Sequence, residues 1–385
     1  NQGTTRAGGS GYYDAKPRVE LFLSTDTELT LPEPYSPSPG PAADQQSLGY
    51  VELGQQLEPG QCVTKSVPAY ASLPPAAQNQ DTYYLAAVVD TNHAEQELRE
   101  DNNVHVGGLL GVGYRADLVV TEVGAPASVM DGSSFTASVK VCNQGTTSSS
   151  SYGPRVELFL SRDEVLTLPT PGQPPPPPGM PEEQRSMGYV ELTASLQPGQ
   201  CVTRSMSAYA YPPAPSLGEG PYYLVAAADT THVEMELRED NNVHVHGLLG
   251  VGSGADLVVS EVNVPAILRS WQDVPATVKV CNQGTISSPG AARLQVLLST
   301  EAQLTPPRPG TPLPGHQVKI GSLEVAPLGA GQCVTMGLSV HPSPPPESQG
   351  YGVYHLGASI DTELWVQELR EDNNTRTVGT IELTP

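Results

Sequence analysis

The feature that most constrains this chain is a heptapeptide, Glu-Leu-Arg-Glu-Asp-Asn-Asn, that occurs three times, at Glu97–Asn103, Glu236–Asn242 and Glu368–Asn374. Seven identical residues recurring three times identify a tandem array, so the fold must be read for one module and then for a string of them. Each copy follows an apolar, β-rich run that ends in Asp: Tyr83–Asp90, Tyr222–Asp229 and Leu356–Asp361. A second such run, Val104–Val112 and Val243–Val251, follows the first two copies. Asp117 to Asp256 and Cys142 to Cys281 are both 139 residues apart, which fixes the period; Asp240 to Asp372 is 132, so the last copy is shorter. The 385 residues divide into modules 1–113, 114–252 and 253–385, each of ordinary domain size.

The middle module shows the strand pattern most clearly. Phe135, Ala137, Val139 and Val141 alternate with Thr136, Ser138 and Lys140, the period of a half-buried strand. Further strands are expected at Ala116–Val123, Arg155–Ser161, Met187–Leu192, Cys201–Tyr209, Tyr222–Asp229 and Val243–Val251. Seven short strands, frequent turn residues and no helical period specify an all-β fold: three tandem immunoglobulin-like antiparallel β-sandwiches. Asn1-Gln2-Gly3-Thr4-Thr5 matches Asn143–Thr147, which follows Cys142, so the first module is expected to lack its two N-terminal strands. An open sandwich edge calls either for a longer array or for strands donated by another chain. The segment Gly250–Ala255 leaves little linker, so adjacent modules are expected to form a semi-rigid rod. The loops Pro32–Pro41, Pro169–Pro181 and Pro306–Gly315 differ between copies; Pro174–Pro178 suits either a tolerated insertion or a stiff spur of the kind SH3 domains bind.

Composition narrows the function classes. A net charge of −22 argues against nucleic acid and against polybasic docking on anionic lipid. No apolar run approaches the ~20 residues of a membrane span. There is no Gly-x-Ser-x-Gly elbow, phosphate loop, His-Glu-x-x-His or dinucleotide fingerprint. His93/His232 and His105/His244 recur in two modules, but Leu364 and Arg376 replace them in the third, which argues against a catalytic role. Trp271 and Trp365 occur only in the third module, so no repeated sugar platform is visible. The chain is expected not to be an enzyme.

Cysteine arithmetic points outside the cytoplasm. Cys142 and Cys281 precede Asn-Gln-Gly-Thr, while Cys62, Cys201 and Cys333 sit in Gly-Gln-Cys-Val-Thr. One of each class per module predicts the bridges Cys142–Cys201 and Cys281–Cys333, leaving Cys62 without its counterpart. Cys142 ends the second strand and Cys201 begins the fifth, antiparallel neighbours in such a sheet, so the bridge is expected within one sheet near its rim. Disulfides imply an oxidising compartment.

The signature also gathers oxygen. Each module carries one set: Asp90, Glu97, Glu100 and Asp101; Asp229, Glu236, Glu239 and Asp240; Asp361, Glu368, Glu371 and Asp372. Two readings stand. Asp and Asn bond local backbone amides and tolerate left-handed conformations, which makes a structural turn; or the carboxylates hold Ca²⁺, which takes six to eight oxygen ligands. No other cofactor is expected.

Ala116-Asp117-Leu118-Val119-Val120, Val139–Thr146, Val156–Ser161, Tyr223–Asp229 and Glu236–Asn242, in that order and repeated through the third module, resemble CARDB, the bacterial cell-adhesion-related domain. The resemblance implies immunoglobulin-like sandwiches of secreted or surface proteins, often in tandem, in adhesive or spacer roles. The expected function is therefore a non-catalytic extracellular stalk or fibre. Its expected partners are copies of itself, other surface proteins or glycans. The alternatives are a calcium-dependent glycan- or protein-binding module and a non-catalytic appendage of a larger secreted enzyme.

Overall fold

The computed structural model describes residues 1–8, 16–31, 42–77, 81–168, 183–213, 218–348 and 350–385. The loops Pro32–Pro41 and Pro169–Pro181 lie outside them. Among the described residues there are twenty strands and no helix.

The middle unit runs β5 (Leu118–Gly124), β6 (Ser128–Val129), β7 (Ser134–Asn143), β8 (Arg155–Ser161), β9 (Gln184–Glu191), β10 (Cys201–Tyr209), β11 (Gly220–Ala227) and β12 (Val243–Val251). Their order is β10-β7-β5 in one sheet and β6-β12-β11-β8-β9 in the other. The alternation predicted for β7 is realised: Ala137, Val139 and Val141 are buried, while Thr136 is exposed. Leu158, Leu160 and Leu224 face them from the second sheet, all fully buried in one core. The third unit repeats the plan with β13 (Leu257–Asn263), β14 (Ile267–Arg269), β15 (Val274–Asn282), β16 (Ala292–Ser299), β17 (Gln317–Val325), β18 (Cys333–Val340), β19 (Gly352–Ser359) and β20 (Thr375–Thr384). Its sheets are β13-β15-β18 and β14-β20-β19-β16-β17, around a second core.

One element departs from the expected antiparallel plan. The first strand of the second and of the third unit breaks in two, and the second piece pairs in parallel with the last strand, β6 with β12 and β14 with β20. Pro126 and Pro265 stand between the two pieces. Proline lacks the N–H that a continuing ladder needs, so the chain leaves one sheet there and joins the other.

The first unit has β1 (Arg18–Ser24), β2 (Gln45–Glu52), β3 (Thr82–Val89) and β4 (Val104–Gly111), in the single sheet β2-β1-β3-β4. Residues 62–70 begin with the Cys-Val-Thr that opens β10 but form no strand. A strand is held by its neighbour, and among the described residues of this unit no counterpart of β7 is present to pair with it.

Cys142 lies opposite Cys201 in the β7–β10 ladder, and Cys281 opposite Cys333 in β15–β18. Both pairs are bonded, with Cα atoms 4.0 Å apart, each within a single sheet. Cys62 is free and exposed.

Candidate functional site

The signature begins where a strand ends. Asp90, Asp229 and Asp361 adopt φ of 55°, 43° and 50°, and the residues three further on, His93, His232 and Leu364, adopt 49°, 51° and 53°. Left-handed backbone is tolerated by Asp and His and is costly for Leu. Each Asp caps the turn it starts. Asp229 accepts N–H bonds from Val233 (3.1 Å) and Glu234 (2.8 Å); Asp90 does so from Ala94 and Glu95, and Asp361 from Trp365 and Val366. Two turns of the same geometry carry His and one carries Leu, so position rather than imidazole chemistry is what the repeat shares.

The next carboxylate reaches across the sandwich. Glu236 accepts the N–H of Leu118, the first residue of β5, and with its other oxygen the side-chain amide of Asn242. Glu368 does the same with Leu257 and Asn374. Asn241 donates to Asp117 at 3.0 Å and Asn373 to Asp256 at 2.8 Å. The backbone N–H groups of Glu97, Glu236 and Glu368 donate to Glu100, Glu239 and Glu371 at 3.1–3.2 Å. The signature thus ties the turn before the last strand to the start of the first strand. Burial pushes the Glu236 and Glu368 carboxyls up to about 8. Burial likewise raises Asp90, Asp117, Asp229 and Asp256 above the ordinary carboxylate range.

A third carboxylate orients the arginine. Arg99, Arg238 and Arg370 each send Nε and Nη2 to the two oxygens of Asp101, Asp240 and Asp372, at 2.9–3.1 Å. This planar fork leaves Nη1 free to point outward. In the second unit Nη1 donates to the carbonyl of Leu109 in β4 (3.0 Å), and in the third to that of Leu248 in β12 (2.9 Å). The leucine before each arginine, Leu237 or Leu369, is only 4% exposed.

The expected calcium ligands are therefore distributed among local donors. Asp90, Asp229 and Asp361 hold backbone amides; Glu97, Glu236 and Glu368 hold asparagine amides; Glu100, Glu239 and Glu371 hold backbone N–H groups; Asp101, Asp240 and Asp372 hold arginines. Among the described residues no three His, Cys, Asp or Glu side chains are grouped as a metal site.

Sequence reasoning passed over one hub. Asn143, fully buried, accepts the N–H groups of Asp117 and Gly145 and donates to the carbonyls of Thr147 and Leu196. Asn282 repeats these contacts, and Asn1 donates to the carbonyls of Thr5 and Leu57. Its signal was present in the sequence, as the invariant Asn in the repeated Asn-Gln-Gly-Thr. Gly145 and Gly284 follow because an added Cβ would fall 2.4 Å from the carbonyl oxygens of Arg115 and Gly254.

In the first unit the corresponding space is open. A cavity of about 470 Å³ is lined by Ala7, Leu53, Leu57, Val89, Glu97 and Arg99, among others. In the second unit, β5 occupies the equivalent side of Glu236.

In the second and third units, fold and signature together define immunoglobulin-like sandwiches whose acidic turns bind the first strand. The family model described as CARDB matches residues 115–246 and 254–378, well over half the sequence, and the chain belongs to that family. No curated protein matches it. Among solved structures it is similar to the CARDB domain of the PF1109 protein from Pyrococcus furiosus, described as in complex with di-metal ions. That match has 23% identity and a TM-score of 0.24, and covers 34% of this chain and 94% of that one. It is also similar to red sea bream transglutaminase (12% identity, TM-score 0.29, 71% of this chain and 32% of that one). A β-glucosidase from Listeria innocua matches at 17% identity and a TM-score of 0.22, over 34% of this chain and 16% of that one.

Proposed function

We propose that this chain is a non-catalytic structural and adhesive array working outside the cytoplasm, part of a surface stalk or fibre. The observation that carries the reading is the use made of the signature. Its charged groups are bound to their own fold and to the neighbouring module, an arrangement suited to transmitting load and poorly suited to turning over a substrate. Two bridges, each between neighbouring strands of one sheet, support an oxidising setting. Electron microscopy of the full chain tests it. Elongated, beaded particles are expected; compact globules contradict it.

One observation favours a second reading, calcium-dependent binding of a glycan or protein. The side-chain oxygens of Asn241, Asn242, Asn373 and Asn374 are buried without partners, beside carboxyls whose pKa burial raises. A bound cation would satisfy both. Titration calorimetry with Ca²⁺ at pH 8 distinguishes the readings: heat and a raised melting temperature support the cation, and neither at millimolar Ca²⁺ removes it. That the array is an appendage of a larger enzyme is a further proposal, tested by reading the gene on either side of this segment.

A further inference from the structure

The second and third units share a corner built from different residues. It lies where β10 or β18 ends against the turn before β7 or β15. Gly132 (φ 70°) and Trp271 (φ 63°) hold the same left-handed place in that turn, and each donates its N–H at 2.8 Å, to the carbonyls of Ala210 and Pro342. Those bonds put Tyr211 in register with Ser343. The ladders, which pair Ala208 with Phe135 and Val340 with Val274, put Tyr209 in register with His341.

The large ring in the corner changes its source. In the second unit it is Tyr211, beside Gly132, where an added Cβ would stand 3.4 Å from the ring. In the third unit it is Trp271 itself, and the register position of Tyr211 holds the small Ser343. Left-handed backbone suits glycine and is costly for tryptophan. An aromatic ring is thus kept although the chain position that supplies it moves and the backbone is strained to hold it, and strain of this kind points to a function at the place. The ring does not fill a core: Trp271 is 66% exposed, Tyr209 51% and Tyr211 45%. This openness belongs to the place and not to a chain end. The second unit has a unit on either side, and its corner is open all the same.

Charged groups hold the rings. Tyr209 and Tyr211 lie nearly parallel (12°) with centroids 6.5 Å apart, and the Arg185 guanidinium backs Tyr211 at 5.3 Å with its Nη1 on the Pro212 carbonyl (3.3 Å). Trp271 meets His341 edge to face at 5.9 Å, and His341 Nδ1 lies 3.0 Å from Asp273 Oδ1. A protein anchor is held in a desolvated pocket; rings about half to two-thirds exposed offer an open platform instead. A pyranose fits it. One face of the sugar is a patch of C–H groups with slight positive charge, which rests on the negative face of an aromatic ring, while its hydroxyls reach the guanidinium, imidazole and carboxylate at the rim. The chain's net charge of −22 repels acidic polymers.

We propose that the two corners are platforms for a neutral polysaccharide, working as a linked pair without calcium, a site that rests on the adhesive reading above and gives it a ligand class. The repeat is hidden in the sequence because one corner uses tyrosine and the other tryptophan.

Native gels cast with mixed-linkage β-glucan, soluble starch or galactomannan, with EDTA present, test it on the full chain. Mobility against polysaccharide concentration gives an apparent Kd, and at least one of the three should retard the chain. Trp271→Gly and Tyr211→Ser each bring in the residue that the sister unit carries at that position, so both should keep a cooperative melt. Each should weaken binding at least about tenfold, since one of two linked contacts is lost, and the double variant should weaken it at least about a hundredfold. In Trp365→Phe, Trp271 is the sole indole, and its emission should move to shorter wavelength as the retarding polysaccharide is added. No retardation by any of the three overturns the proposal. So does a folded double variant less than about tenfold weaker than the native chain, or Trp271 emission unmoved by a polysaccharide that retards the chain. Beaded particles without retardation would remove the platforms and leave the array standing.

Discussion

Raising the pH should destabilise this acidic protein through two buried glutamates. Glu236 is 2% exposed, and burial pushes its carboxyl from 4.5 to about 8. Between those values the folded chain holds a proton that the unfolded chain has released. Stability from this group is thus fully present below about pH 4.5 and is lost as pH rises through 8. At 1.36 kcal/mol per unit, moving from pH 5 to 7.5 removes about 3 kcal/mol from the second module, or about 10 °C of melting temperature. Glu368 acts with the same sign in the third module, as do the raised Asp117, Asp229 and Asp256. Asp240, held below its usual range by Arg238, works in the opposite direction, but only below its ordinary value of 3.8 and so outside this window. Scanning calorimetry at constant ionic strength across pH 5–7.5 reads the slope. Glu236→Gln, which cannot ionise and whose amide can donate to the orphaned Asn242 oxygen, should flatten the second module's share. A melting temperature that is level or rises with pH, or a Glu236→Gln slope equal to the native one, refutes the reasoning.

Leu364 holds φ 53° and is exposed, so Leu364→Gly should stabilise the third module by about 1 kcal/mol, seen as a higher denaturant midpoint. Replacing Cys142 and Cys201 together by serine opens a loop spanning 59 residues and should cost about 4 kcal/mol in urea unfolding. Gly145→Ala should cost more than about 3 kcal/mol, because its methyl meets backbone that cannot yield; a normal melt would contradict this. Thiol titration of the native chain should find one reactive group, Cys62.

Period and alternation made the strands legible. Arg155–Ser161, Cys201–Tyr209 and Val243–Val251 were bounded as found, because turn residues and cysteines punctuate them. The crossing of the first strand at Pro126 was not seen: proline announces a break, but the sheet that receives the chain is a tertiary matter. In the signature, residue types pointed to either a turn or a cation site, and spacing cannot show which donors meet which oxygens. The links from Glu236 to Leu118 and from Asn241 to Asp117 join residues more than a hundred positions apart. The contact between units was illegible for a related reason. Leu98, Leu237 and Leu369 stand in identical heptapeptides, yet Leu98 is 78% exposed and the other two 4%, because in the second and third units both the unit's own first strand and the preceding unit lie against the leucine.

The account stands on discrete, bridged units joined in series, and pulling the full chain from its two ends by single-molecule force spectroscopy tests that most directly. Separate steps are expected. Adding a reductant should lengthen two of them, by about 200 Å for the 59 residues behind Cys142–Cys201 and about 180 Å for the 52 behind Cys281–Cys333, at ~3.5 Å per residue. One merged step, or step lengths indifferent to reductant, would contradict it.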